Sequence, residues 1–444
     1  MEKRPISVYA QGSIPEYRND GDNYDRWYIP GRSLCFGIKN PEGIFMMPDN
    51  QELKKYYYQL GQITGSMDKS NGQIGRPVFV PDQDYLLDVA IGAFTASLAK
   101  EVFDRNSKYT VYPYAATEPL YEWTNILKQR GINIDVALPP KLYYERLDHP
   151  ANRSGWGRNV NAPEVLSFPE TYDIPYPVAF NGTGLGEILE AYDLVSTSKE
   201  KAEVFFKPVF SSGGFTLKKI GNQSELVDHY NRLKEQGALD ILGQETPVEI
   251  QSFIPDITGF FSIQYEGERI ISPKGITEQI IEGSNWQGNI FNNGVNFEVK
   301  DQALDIFQRF IKGIKDIDGR LVGWGGLDMA SFKENGQEKV IVIEHNGRRL
   351  TGAHPAIALA EGLGVTGPYM SKKSPGEPDC ELKDLWSVLS DNCIQYDPST
   401  RKGVFPIVWL PGSGMLWATG DNVSQVEDML DLAYGQMAKK GYLK

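Results

Sequence analysis

Five side chains able to manage phosphate and metal chemistry lie close together in the sequence: Asp328, Glu344, Asn346, Arg348 and Arg349. Two carboxylates and an amide oxygen suit a hard cation such as Mg²⁺, which prefers a few carboxylates completed by phosphate oxygens and water. Two guanidinium groups follow them, so something charged is held there. The same residues also fit a turn cap at Asp328 and a surface pair between Glu344 and Arg348 or Arg349, an interaction worth little. Farther upstream, Val204-Phe205-Phe206-Lys207-Pro208 runs into Ser211-Ser212-Gly213-Gly214. A lysine on a strand ahead of flexible Ser and Gly offers an ammonium group and exposed backbone N–H donors, the groups a polyphosphate needs. Taken alone, that piece reads better as an exposed hairpin with a solvated lysine.

These groups need elements to hold them. Val340 to Ile343 is an unbroken β-branched run and reads as a strand buried on both faces. A second apolar piece, Leu321 to Ala330, precedes it across the polar turn Lys333 to Glu338, so the pattern predicts an antiparallel hairpin. There Asp328 and Glu344 face each other, with Asn346 on the same side. Val248 to Ile254 reads as a strand ending at Pro255-Asp256, and Asp301 to Ile317 as an amphipathic helix.

Thr110 to Tyr114, Pro119 to Gln129 and Ile132 to Leu138 follow the strand, helix, strand grammar of a parallel α/β layer. Asp82 to Phe103 has helical spacing, and Arg32 to Ile38 reads as a strand. The glycines of Asn181 to Gly186 fall at every second position, not in GxGxxG spacing, which favours a turn opening the helix Glu187 to Lys201. Gly275 to Phe291 looks polar and irregular, with Thr277, Gln279, Trp286, Gln287 and Asn289 as candidate ligand contacts.

The chain has 444 residues, too many for one ordinary core, so two to four lobes are expected. A net charge of −13 argues against a broad nucleic-acid or anionic-membrane surface. Three cysteines without CxxC spacing support neither a disulfide framework nor a structural zinc site, and four scattered histidines form no zinc-hydrolase motif. With no signal-peptide core and no apolar run of about 18 residues, the chain reads as cytoplasmic.

The order of these motifs resembles the ATP-grasp superfamily: Phe206-Lys207-Pro208 with Ser211 to Gly214, then the hinge-like Val248 to Ile254, then Asp328, then Glu344-His345-Asn346-Gly347-Arg348 as an ExNxR pattern. The final segment, Gly403 to Leu430, is similar to the C-terminal piece of pre-ATP-grasp peptide ligases of the pheganomycin type. The resemblance implies an ATP-grasp α/β fold, here α+β lobes: a pre-ATP-grasp α/β domain over 1–160, a small lobe over 161–255, a large lobe over 256–365 and a C-terminal segment over 366–444. It also implies ATP and Mg²⁺ as cofactors, and small-molecule carboxylate and amine substrates joined through an acyl phosphate. By residue, it implies that Lys207 contacts the phosphates and that Ser211, Ser212, Gly213 and Gly214 close over them. Gln251, Ser252, Phe253 and Ile254 would border the adenine, and Asp256 the ribose. Asp328, Glu344 and Asn346 would hold Mg²⁺, and Arg348 and Arg349 would serve catalysis. Kinase, carboxylase and non-catalytic ATP-binding proteins are the alternatives on such a fold. Arg158 is the upstream basic residue at a plausible distance, and a homodimer is the default assembly.

Overall fold

The computed structural model describes residues 5–10, 34–67, 75–80, 102–113, 118–137, 156–197, 203–208, 217–241, 244–283, 285–292, 297–347 and 352–444. Three large sheets carry the architecture. The first contains β1 (Ile6–Ala10), β2 (Ile44–Pro48), β3 (Arg76–Val80), β4 (Lys108–Pro113) and β5 (Asn133–Val136), all parallel in the order β3-β2-β1-β4-β5. Parallel strands need crossover connections, and the Gln51–Met67 and Glu118–Gln129 helices lie in two of them. The strand expected over Arg32 to Ile38 is instead a short helix, Cys35–Lys39. Its Cys35 and Phe36 are buried in the same cluster as the Ala353–Gly362 helix, so tertiary packing decides the local conformation. The helix expected over Asp82 to Phe103 lies almost wholly outside the described residues.

The second sheet has the order β6-β7-β12-β8-β9, from β6 (Arg158–Asn159), β7 (Ala179–Gly182), β8 (Val204–Pro208), β9 (Lys218–Ile220) and β12 (Val248–Ser252). A two-stranded ribbon, β10 (Asp240–Ile241) with β11 (Gln244–Glu245), precedes β12. One face of this sheet buries Phe180, Phe206, Val248 and Ile250 with the Gly184–Thr197 and Gln223–Glu235 helices. The glycine-rich turn before Gly184 opens a helix, and Glu187 Oε2 accepts the Thr183 N–H at 2.7 Å. That helix end is therefore capped by its own carboxylate.

The third sheet is nine-stranded and holds the acidic hairpin. It is built from β13 (Ile257–Glu266), β14 (Arg269–Ile270), β15 (Thr277–Glu282), β16 (Asn285–Phe291), β17 (Trp324–Glu334), β18 (Gln337–Asn346), β19 (Tyr369–Lys373), β20 (Gly403–Leu410) and β21 (Ser413–Thr419). Its order is β18-β17-β13-β15-β16-β19-β21-β20, with β14 attached to β13. The Phe297–Asp318 helix lays its apolar side on Phe261, Ile263, Leu327, Met329, Val340 and Val342. Helix propensity and the apolar stripe at helical spacing act together there.

Two expectations about this sheet need correcting. Gly275 to Phe291 is a strand pair, β15 and β16, rather than irregular chain. Thr277, Gln279 and Asn289 alternate onto the face opposite the Phe297–Asp318 helix, and a polar inner face reads in sequence like solvent exposure. The β-branched run Val340 to Ile343 is buried on one face only: Val340 and Val342 lie in the core, while Ile341 and Ile343 are half-buried. The reason is that the Phe297–Asp318 helix covers only the face that carries Val340 and Val342.

Among the described residues, no helix is long and apolar enough to cross a membrane.

Candidate active site

The tight turn Asn335-Gly336, with φ of 51° and 80°, joins β17 to β18 and starts the register Glu334 to Gln337. Continued without interruption, that register would set Asp328 opposite Ile343 and turn Glu344 toward the core side. It shifts by one residue between the pairs Met329–Val342 and Asp328–Glu344. Ile343 is thus the extra residue of a β-bulge, a device that re-aims neighbouring side chains. The bulge brings Glu344 opposite Asp328, and Asn346 follows opposite Gly326 on the same face.

Asp328 is held by amides at both oxygens. Asn346 Nδ2 donates to Oδ2 at 2.7 Å, and Gln279 Nε2 donates to Oδ1 at 3.0 Å. The Asn346 side-chain oxygen and the Asp328 carboxylate are candidate metal donors beside Glu344. Like charges directly opposite across strands repel, a cost that a divalent cation between them removes. Among the described residues no three His, Cys, Asp or Glu side chains cluster as metal ligands, so the third oxygen of this set is an amide. The donor set fits Mg²⁺ and not zinc. His345, between Glu344 and Asn346, points to the other face, where its Nε2 lies 2.7 Å from the Tyr265 hydroxyl among Trp156 and Phe310.

Lys207 reaches this hairpin from the second sheet. Its Nζ donates to the carbonyl of the bulge residue Ile343 at 2.7 Å. Lys207, Glu249 and Asn181 are neighbours across β8, β12 and β7 and share one face. Glu249 is fully buried: its Oε1 accepts the Tyr176 hydroxyl and its Oε2 the Gly157 N–H, both at 2.8 Å. Burial first and the Glu249 carboxylate second push the Tyr176 phenol well above its usual range, with Glu344 adding a smaller push. Glu249 and Tyr176 escaped the sequence reading, because nothing in their local pattern marks them.

On the same face, one step along, stand Phe205 and Gln251. Gln251 is 5% exposed, and its Nε2 meets no partner. Ser252 and Phe253 spend their N–H groups on the carbonyls of Val178 (2.8 Å) and Glu203 (3.0 Å). Phe253 packs on Phe205 at 5.5 Å and lies under the Lys219 ammonium at 4.0 Å, while Ile254 is buried.

Asp256 is exposed at the head of β13 with φ of 53°, and its carbonyl accepts the Lys333 N–H at 3.3 Å. It lies six residues from Ser262, the partner of Asp328, or roughly 20 Å along the strand. Arg158 faces away from Lys207: its guanidinium binds Glu170 at 2.8 and 3.0 Å and the Pro163 carbonyl at 2.8 Å. The turn Ser211, Ser212, Gly213, Gly214 and the pair Arg348, Arg349 lie outside the described residues.

No family model and no curated protein matches the chain. Solved structures do. Carboxyaminoimidazole ribonucleotide synthase from Aspergillus clavatus, complexed with ATP, matches at 12% identity and TM-score 0.54, over 98% of this chain and 99% of that one. Biotin carboxylase from Campylobacter jejuni matches at 13% identity and TM-score 0.58, over 97% and 91%. The biotin carboxylase domain of Hydrogenobacter thermophilus 2-oxoglutarate carboxylase, a dimer with MgADP, ADP and bicarbonate, matches at 11% identity and TM-score 0.57, over 96% and 89%. At such identities the likeness is one of fold, and it runs over nearly the whole chain: the protein has the ATP-grasp fold.

Proposed function

We propose that the protein is an ATP-dependent carboxylate–amine ligase that makes an amide or peptide bond through an acyl phosphate. The observation that carries this reading is the meeting of Lys207 with the Asp328–Glu344–Asn346 hairpin, a cation from one sheet against an oxygen donor set on another. Mg²⁺, held by Asp328, Glu344 and Asn346, would neutralise phosphate charge. Lys207 would exchange the Ile343 carbonyl for phosphate oxygens. The Ser211 to Gly214 turn would cover them, and Arg348 with Arg349 would balance charge on the group in transfer. Gln251 would offer its unpartnered amide to the nucleobase beside Phe205, with Ser252, Phe253 and Ile254 at the rim.

The chemistry follows from leaving groups. A carboxylate would have to expel oxide, so its oxygen first attacks the γ-phosphorus and ADP departs. The amine nitrogen then attacks the acyl carbon, loses a proton and displaces phosphate. This scheme needs no covalent acyl-enzyme. A peptide-forming role in natural-product assembly is the finer form of the proposal, resting on the C-terminal segment's similarity to pheganomycin-type ligases.

A second reading takes bicarbonate as the acid. It is favoured by the matched structures, which include carboxylases, one of them holding bicarbonate.

Phosphate release from Mg·ATP, measured against small carboxylates, bicarbonate and amino acids singly and in pairs, tests both readings. Release that requires an acid and an amine, yields an amide of the summed mass and vanishes in Glu344→Gln is the expected result. Release with bicarbonate alone as the acid selects the second reading. Nucleotide binding without turnover for any pair would overturn both.

A further inference from the structure

Asn289 and Ser371 stand directly opposite each other on β16 and β19. They occupy the sheet face that carries Asp328 and Gln279, since Gln279 is in turn opposite Asn289. Asn289 is 1% exposed and Ser371 0%, yet Asn289 Nδ2 and Ser371 Oγ meet no hydrogen-bond partner. Buried polar side chains are normally paired, and an unmade bond is expensive.

The surroundings define what would complete them. Cross-strand neighbours lie about 5 Å apart at Cβ, and Gln279 already touches Asp328, so Asn289 sits within roughly 10 Å of the metal carboxylates. A second bulge, with Gln287 as the extra residue between the pairs Ile280–Gly288 and Ile281–Trp286, turns Trp286 onto this face. The Trp286 indole N–H reaches the Asn289 carbonyl oxygen at 3.4 Å. Lys373, two residues past Ser371 and so on the same face, holds its ammonium 5.0 Å from the Trp286 ring centre. A Cβ at Gly352 would run into the Trp286 ring, and one at Gly288 into the Ser371 carbonyl, so glycine at both positions permits this close approach. Two amide hydrogens, a hydroxyl and an ammonium are all donors. The unpartnered amide and hydroxyl call for an acceptor, and the ammonium's charge nearby favours an anionic one.

We propose that Asn289 and Ser371 form a subsite for a carboxylate carried by the amine substrate, which makes that substrate an amino acid rather than a simple amine. The inference rests on the ligase reading. The acid being activated must present its own carboxylate at the γ-phosphate, beside Asp328 and Glu344. A second carboxylate roughly 10 Å away matches the far end of an amino acid whose nitrogen faces the acyl phosphate.

The test pairs amino acids with their decarboxylated counterparts, such as phenylalanine with phenethylamine and alanine with ethylamine, in the phosphate-release assay. The native protein should use the amino acid and not the amine. Ser371→Ala and Asn289→Leu should raise the KM for the amino acid at least tenfold with the KM for ATP unchanged. Because the Ser371 hydroxyl is unpartnered, Ser371→Ala should leave thermal stability equal or higher, which a purely structural serine would not do. Equal use of acid and amine forms, or an unchanged KM in both variants, overturns the subsite and leaves the ligase reading standing. If no pair gives turnover, the ligase reading fails and the subsite is read by tryptophan fluorescence, native minus Trp286→Phe, titrated with the same amino acids. A saturable difference signal absent from Asn289→Leu supports the carboxylate site, and a flat titration overturns it.

Discussion

Lys207 donates its ammonium proton to the carbonyl of Ile343 at 2.7 Å, joining two sheets through residues 136 positions apart. The acceptor is the bulged residue of an edge strand, immediately before Glu344. In the proposed ligase, phosphate oxygens would compete with this carbonyl for the lysine. Lys207→Met should leave the fold intact at a cost of about 1 kcal/mol, the usual net worth of one such bond. Its affinity for Mg·ATP should fall at least tenfold in calorimetric titration. Native affinity in the variant would remove Lys207 from the phosphate site.

Asn346 serves Asp328 as a donor and the candidate metal set as an oxygen. Asn346→Leu takes away both. Stability should drop by about 1 kcal/mol as the half-buried Asp328 carboxylate loses a donor. Millimolar Mg²⁺ should raise the melting temperature of the native protein, and do so less or not at all in the variant. An unchanged Mg²⁺ response would place the metal elsewhere.

Gln279 holds the other oxygen of the same carboxylate. Gln279→Leu and Asn346→Leu should therefore be non-additive, with a coupling of about 0.5–3 kcal/mol in a double-mutant cycle of denaturant unfolding. Simple additivity would mean that the two amides act on Asp328 independently.

Two surface carboxylates contribute to the acid sensitivity of the fold. Glu381, bonded first by Lys55 and then by Lys383, and Glu170, bonded by Arg158, are each lowered from the usual carboxylate range to about 2. A depressed folded-state value means stabilisation that is present above the unfolded pKa of about 4.5 and lost as pH falls toward 2. Melting temperature should decline through that window. Glu381→Gln should flatten part of the decline, with a small amplitude because the group is solvent-screened. A decline of the same shape in the variant would assign the acid sensitivity to other groups.

The hairpin was legible in the sequence because a β-branched run, a polar turn and a second apolar run fit one another. The bulge at Ile343 was not. By strict alternation Glu344 belongs with Val340 and Val342 on the core side, and only the register shift places it with Asp328. Gln279 and Asn289 were visible as polar residues, but their strands were hidden, since a polar inner face imitates a loop. Arg158 shows the opposite failure: its type and distance suited a phosphate site, while its cross-strand neighbours put it on the far face with Glu170. Glu249 and Tyr176 carry no local signature, since their importance comes from contacts made across 73 residues.

The segment between Pro175 and Val178 bonds in both directions within four residues. The Pro175 carbonyl takes the Val342 N–H of the edge strand at 2.9 Å, and the Val178 carbonyl takes the Ser252 N–H of β12 at 2.8 Å. A rotation of the five-stranded sheet against the nine-stranded one that preserves these bonds must pivot on this strap. Residues beside it, Tyr176 and Glu249, would travel least, and the outer strand β9 would sweep the widest arc. Lys207, the cross-strand neighbour of Glu249, sits near that pivot, so a few degrees at the strap displace its ammonium little and its bond to Ile343 can hold while β9 swings.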